Sequence, residues 1–233
     1  MAGYGHNSSN TESDATGYHS EGSVNGYSAG IYATWYQNDE THRGLYLDSW
    51  ALYNWFNNDV KGQNIQGESY KSHGITVSLE TGYSLKLGEF SGSQGSLNEW
   101  FIQPQMQAIW MGVKADEHYE YNGTRVNGEG DGNLQSRLGI RTYLNGHSKK
   151  DEGRNRNFRP FAEINWIHNT HDFGTSMDGM SVHQAGTRNI GEIKTGVDGQ
   201  LSEKVSLWGN VGVQIGDKGY NDASAMLGMR LSF

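Results

Sequence analysis

The chain has 233 residues, with 33 Gly, 2 Pro, no Cys, 12% aromatic residues and a formal net charge of −8. Its pI near 5.5 argues against a nucleic-acid binder, which needs a basic face. Its longest apolar run, 108–113, is far short of the roughly 20 residues of a spanning helix, whereas a mean hydropathy of −0.74 is compatible with a membrane barrel, where every second strand residue points into a polar lumen.

Taken in chain order, residues 1–6 read as the stub of a first strand. Between 26 and 36, Tyr27, Ala29, Ile31, Ala33 and Trp35 alternate with small or polar residues. The stretch 45–56 alternates less cleanly, with Leu45, Leu47, Ala51, Tyr53 and Trp55 on one face. From 74 to 87 the odd row is Ile75, Val77, Leu79, Thr81, Tyr83, Leu85 and Leu87, and the even row carries Glu80 and Lys86. Trp100, Ile102, Pro104, Met106, Ala108 and Trp110 alternate with Phe101 and three glutamines. Leu134, Leu138, Ile140 and Leu144 alternate with Arg137 and Arg141, and Ala162, Ile164 and Trp166 with Glu163 and Asn165. Ile193 and Val197 alternate with Glu192, Lys194 and Asp198, and Val205 to Ile215 repeat the pattern. The chain ends on Ala223, Ala225, Leu227, Met229, Leu231 and Phe233, interleaved with Gly228 and Arg230.

About ten such segments follow one another. Globular strands run about 5–6 residues, while a tilted membrane strand needs about 9–11. The segment at 74–87 exceeds both. The connections fall near 7–22, 38–44, 59–70, 88–98, 117–131, 146–157, 171–188, 202–204 and 217–221, with long and short broadly alternating. Long loops outside and short turns in the periplasm are the outer-membrane arrangement. Trp35, Tyr36, Tyr53, Trp55, Tyr83, Trp100, Trp110 and Trp166 lie toward strand ends, as interfacial girdles require. The fold class expected is all-β, an antiparallel transmembrane β-barrel. A soluble sandwich with one wet face per sheet is the competing architecture.

The polar rows carry both signs: Asp48, Glu80, Glu163, Glu192 and Asp198 against Lys86, Arg137, Arg141, Lys194 and Arg230. Opposite charges that can pair across a narrow lumen suit a closed barrel, so these ten residues are the expected pore lining. They would contact a luminal element, or pair with one another to hold the barrel's shape. His168 and His171 do not share a face in a way that assures metal binding. The glycines at 127–132 do not lead a strand into a helix. No nucleophile, base and acid stand together, so no catalytic, cofactor or metal site is expected. Residues 1–6 lack the basic start and apolar core of a signal peptide.

Several stretches resemble the translocator beta-domain of autotransporters, the type V secretion family, in its AIDA-like adhesin branch. They are Gly26-Tyr-Ser-Ala-Gly-Ile-Tyr-Ala-Thr-Trp-Tyr36, Leu79-Glu-Thr-Gly-Tyr-Ser84, Ile102-Gln-Pro-Gln-Met-Gln107, Arg137-Leu-Gly-Ile-Arg141, Arg159-Pro-Phe-Ala-Glu-Ile-Asn-Trp-Ile-His168 and Leu227-Gly-Met-Arg-Leu-Ser-Phe233. Their order covers essentially the whole chain. The resemblance implies a twelve-strand barrel in the outer membrane of a Gram-negative bacterium, with a luminal helix joined to a secreted passenger. About ten strands are expected in residues 1–233, the helix and first two strands being absent from the match. It implies a non-enzymatic pore that anchors and exports an adhesin-type passenger; a stand-alone porin is the alternative. The partners implied are outer-membrane lipid, the passenger and luminal helix, and the barrel assembly machinery. Gly228, Leu231 and Phe233 match the assembly signal of the last strand, and Met226 stands where a polar residue is usual.

Overall fold

The computed structural model describes residues 1–12, 17–38, 43–63, 66–91, 97–147, 156–202 and 204–231. Its strands are β1 (Ala2–Glu12), β2 (His19–Tyr36), β3 (Gly44–Gly62), β4 (Glu68–Ser91), β5 (Leu97–Ala115), β6 (His118–Tyr119), β7 (Arg125–Glu129), β8 (Asn133–His147), β9 (Asn157–Asn169), β10 (Gly174–Met177), β11 (Met180–His183), β12 (Asn189–Gln200), β13 (Val205–Gly216) and β14 (Asn221–Leu231). Ten of them form one sheet in the order β1-β2-β3-β4-β5-β8-β9-β12-β13-β14. Every neighbouring pair is antiparallel and next in line along the chain, so the sheet is an up-and-down meander. The other four form a small sheet, β11-β10-β7-β6. It is built from the two long connections, β5 to β8 and β9 to β12.

Burial in the large sheet is inverted relative to a soluble domain. Ile31, Val77, Leu79, Ile140, Ile164, Ile193, Val211 and Leu227 are exposed, while Asn54, Ser78, Gln105, Glu163, Asn165 and Glu192 are buried. In water such an apolar surface would be a severe liability, since monomeric soluble proteins rarely expose apolar patches beyond a few hundred Å². Facing lipid, it is the expected lining. The exposed face holds the predicted apolar rows, and the other face holds the predicted polar rows. The polar face is concave. Tyr36 on β2 lines the same cavity as Trp208 on β13 and Arg230 on β14, so the second strand and the last strand look at each other across the lumen.

The belt has a readable height. Trp100 and Trp110 bracket the outer row of β5 and are both exposed. Ten residues at about 3.3 Å each, tilted by about 40°, span about 25 Å, the usual height of a barrel's apolar band. Trp35, Tyr83 and Phe158 lie at one rim; Tyr27, Tyr53, Trp55 and Trp166 lie at the other, all exposed. Tyr36 differs from expectation. Its neighbour Trp35 takes the outer position, so Tyr36 alternates inward and is half-buried in the lumen.

Three connections are shorter than the residue pattern suggested. Asn10 pairs with Glu21, Asp59 with Ser69 and Phe90 with Asn98. Beyond the lipid a strand no longer needs an apolar face. The backbone ladder therefore continues while the period-two signal disappears. Ser69 reinforces its cross-strand partner by donating to Asp59 at 2.5 Å. β4 reaches 24 residues in this way. Its ladder with β5 is irregular between Lys86 and Gly88, beyond which the apolar row of Leu85 and Leu87 on the outer surface ends.

Candidate functional site

The ten residues expected to line the pore all fall on the concave face, by the alternation of their strands. The structure brings several of them together. Arg137 donates to Glu80 at 2.8 Å and stands 3.8 Å from Glu163. Glu80 also accepts from the Tyr46 hydroxyl at 2.8 Å. Glu163 accepts from Gln105 at 2.8 Å and Asn165 at 2.7 Å. Asn165 donates on to Glu192 at 2.7 Å, and Glu192 accepts from Gln214 at 2.9 Å and faces Lys194 at 3.3 Å. This chain of contacts runs from β3 to β13. It ties seven consecutive strands of the sheet across the lumen, where the side chains of Glu163 and Glu192 are only 6% and 7% exposed.

A second tier lies nearer the β8–β9 end. Arg141 donates to Asp198 at 2.7 Å and sits 4.0 Å from the Phe161 ring centroid. Arg159 sits 5.2 Å from the centroid of Tyr143. Phe101 and Tyr143 stack at 4.9 Å, and with Phe161 they form a buried aromatic cluster. Lys86 binds Glu89 and, at 2.6 Å, Glu99, which also accepts from Arg43 at 2.7 Å. Asp48 accepts from Thr34 at 2.6 Å; among the described residues it joins no ion pair, although it lines one cavity with Arg141, Arg159 and Asp198. Among the described residues Arg230 likewise joins no ion pair, and it lines a cleft with Tyr36, Arg141 and Arg159.

Tyr46, Gln105, Arg159, Arg43, Glu99 and the aromatic cluster were not singled out from sequence. Strand parity was the available signal. Phe101, Tyr143 and Phe161 share the rows of Gln105, Arg141 and Glu163, and an aromatic in a luminal row is a wall element as much as a charge is.

Gly228 has a local role that its place in the predicted assembly signal did not suggest. It pairs directly with Trp208, whose indole occupies the space a Cβ on Gly228 would take. Phe56 covers Gly26, and Tyr46 covers Gly82, in the same manner. A large ring laid over a glycine fills the gap left by the missing side chain. Leu231 lies on the outer face opposite Val205. Phe233 lies outside the described residues.

The connections at the other end are built, not slack. Asn133 is fully buried; it donates to Asn169 at 2.9 Å and accepts from the His171 amide at 3.1 Å. His168 instead meets Asn189 at 2.9 Å, so the two histidines of that motif serve separate polar contacts. In the small sheet, Glu129 accepts from Ser181 at 2.7 Å and faces His183 at 3.3 Å. Arg125 forks onto Glu117 with bonds of 2.7 and 2.8 Å, and those bonds hold the Glu117 carboxyl below the usual carboxylate range.

A meander with an apolar exterior and a charged, cross-linked interior defines a transmembrane β-barrel class. The sequence matches the family described as the autotransporter beta-domain over residues 1–212, and the chain belongs to that family, whose members are outer-membrane proteins. It is 62% identical over its whole length to the uncharacterized protein YuaQ of Escherichia coli (strain K12), of which it spans 17%. It is 42% identical over its whole length to the autotransporter adhesin AIDA-I of Escherichia coli, of which it spans 18%. The solved transport unit of AIDA-I superposes with a TM-score of 0.89 at 40% identity, covering all of this chain and 74% of that one. The chain thus spans less than a fifth of either relative.

Proposed function

We propose that, within the complete protein, this chain forms most of the wall of an outer-membrane pore that anchors and exports an adhesin-type passenger, without catalysing a reaction. The observation that carries this reading is the inverted burial, apolar outside and ion-paired inside, in a member of the autotransporter beta-domain family. The same reading has strands preceding β1 closing the barrel against β14 and a luminal helix leading to the passenger. It has Asp48, Glu80, Lys86, Arg137, Arg141, Glu163, Glu192, Lys194, Asp198 and Arg230 lining the path, lipid against the outer rows, and Gly228, Leu231 and Phe233 marking the last strand for the barrel assembly machinery.

The test is surface display. The complete protein, carrying an epitope in the segment upstream of this chain, is expressed in a Gram-negative host. Antibody labelling of intact cells and its loss on external protease treatment are the expected results. A heat-modifiable, correctly inserted barrel whose upstream segment stays inaccessible until the cells are broken would overturn the export role and favour a stand-alone channel.

A further inference from the structure

The end of the lumen away from the four-stranded sheet holds a cleft with an unusual charge balance. Its cavity, of about 440 Å³, is lined by the three guanidiniums of Arg141, Arg159 and Arg230 and by a single carboxylate, Asp198, with Tyr36 and Trp208 completing the wall. Asp198 is committed to Arg141 at 2.7 Å. The adjoining cavity shares Tyr36, Arg141, Arg159 and Asp198 and adds two carboxylates: Glu80 is paired with Arg137, and Asp48 accepts from the Thr34 hydroxyl at 2.6 Å and keeps its charge. Among the described residues no carboxylate pairs with Arg159 or Arg230. The Nε groups of Arg141 and Arg159 are buried with no hydrogen-bond partner.

The two guanidiniums are held in place from behind, Arg141 over Phe161 and Arg159 over Tyr143. Stacking on a ring satisfies the guanidinium face and leaves the N–H edge available. A low-dielectric wall strengthens the field of charges gathered at a cleft. Arginines gathered around a narrow passage favour anions over cations.

We propose that this cleft is an anion-binding constriction of the lumen, taking halides and small oxyanions in preference to cations although the chain as a whole is acidic. A carboxylate or phosphate oxygen in the cleft would accept from the guanidinium N–H groups that face it. The proposal rests on the polar face being the inside of a closed barrel but not on passenger export, which the surface-display experiment reports separately.

Trp208 provides a probe because it lines the same cleft. In the complete protein in detergent, the fluorescence lost between the parent and Trp208→Phe isolates this indole. Iodide is expected to quench that component several-fold more efficiently than caesium, and added inorganic phosphate to relieve the iodide effect. Arg159→Gln with Arg230→Gln is expected to bring the iodide-to-caesium ratio close to one. Lys218→Gln, in the turn at the other end, should leave it unchanged. Equal response to the two ions, including no response to either, overturns the proposal. So does an unchanged ratio in the double variant whose heat-modifiable mobility shows that it has folded.

Discussion

Arg137 is the residue on which the inner network turns, because one guanidinium serves carboxylates on β4 and β9. Surface ion pairs contribute little, but removing one partner of a buried pair leaves an uncompensated charge and costs about 3–5 kcal/mol. Arg137 and Glu80 are about one-fifth exposed, so Arg137→Gln should lower the unfolding midpoint of the complete protein in urea by less than that, equivalent to about 1–3 kcal/mol. Reversal at Arg141 or Glu163 should likewise disturb assembly or conductance more than reversal of Asp131, which sits in an exposed turn. Equal effects on gel mobility and bilayer conductance would refute that ranking. The charged members of the network were legible as residues, since they are the charges in the rows that alternate with the apolar ones. Their pairing was not legible. Register neighbours suggest that Arg141 meets Glu163, yet Arg141 reaches past β9 to Asp198 on β12. Long side chains across a curved sheet choose partners that a flat ladder does not reveal.

At the scale of the strand, the outer rows were readable because one face must remain apolar along the whole crossing. β4 shows where that reading stops: its apolar row from Ile75 to Leu87 was evident, but its first residues, Glu68 to His73, pair without any period. The small outer sheet escaped for the same reason. Its strands are short and have no single wet face. One local sign was present. Asp178-Gly179 forms a tight turn with both residues at positive φ, 47° and 84°, the pattern of a two-residue hairpin. The Gly228–Trp208 pair offers a direct test of how β13 and β14 fit. Gly228→Val should destabilise the barrel by about 1–3 kcal/mol through overpacking. Combined with Trp208→Ala it should cost less than the two changes added, because the valine enters the space the indole leaves. Additive losses in a double-mutant cycle would show that the ring does not depend on the glycine.

The hairpin of β6 and β7 has its own pH dependence. Glu117 has a lowered folded pKa, so its pairing with Arg125 contributes above the ordinary carboxylate value of about 4.3 and is lost as pH falls through the lower folded value. Amide protection in β6 and β7 should be steady at neutral pH and fall below that range. Glu117→Gln should remove this small pH dependence and leave protection at neutral pH nearly unchanged, as an exposed pair contributes little. A parent and a variant with the same profile would place the hairpin's stability elsewhere.

At the scale of the molecule, β1 and β14 leave the edges of the ten-stranded sheet without a mutual ladder among the described residues. Unsatisfied edge groups in lipid cost several kcal/mol each, so the proposed pore needs both edges paired. The overall architecture was legible because strand length, alternation and sequential hairpins all point to one meander. The cleft that Tyr36, Trp208 and Arg230 share was not legible, since these residues lie far apart in sequence on strands that are not neighbours in the sheet.

The outward apolar rows also set a thermal signature. In a water-soluble protein, unfolding wets the apolar core and raises the heat capacity by about 12–15 cal/mol/K per residue, or about 3 kcal/mol/K for a chain of this length. In a micelle the greasy surface would already meet acyl chains, and the groups leaving the interior are amides, carboxylates and guanidiniums, whose hydration lowers the increment. Scanning calorimetry in micelles should give less than half the soluble value and a stability curve that is nearly straight with temperature. Cooling such a protein should then weaken it far less than it weakens a domain whose core is made of leucine.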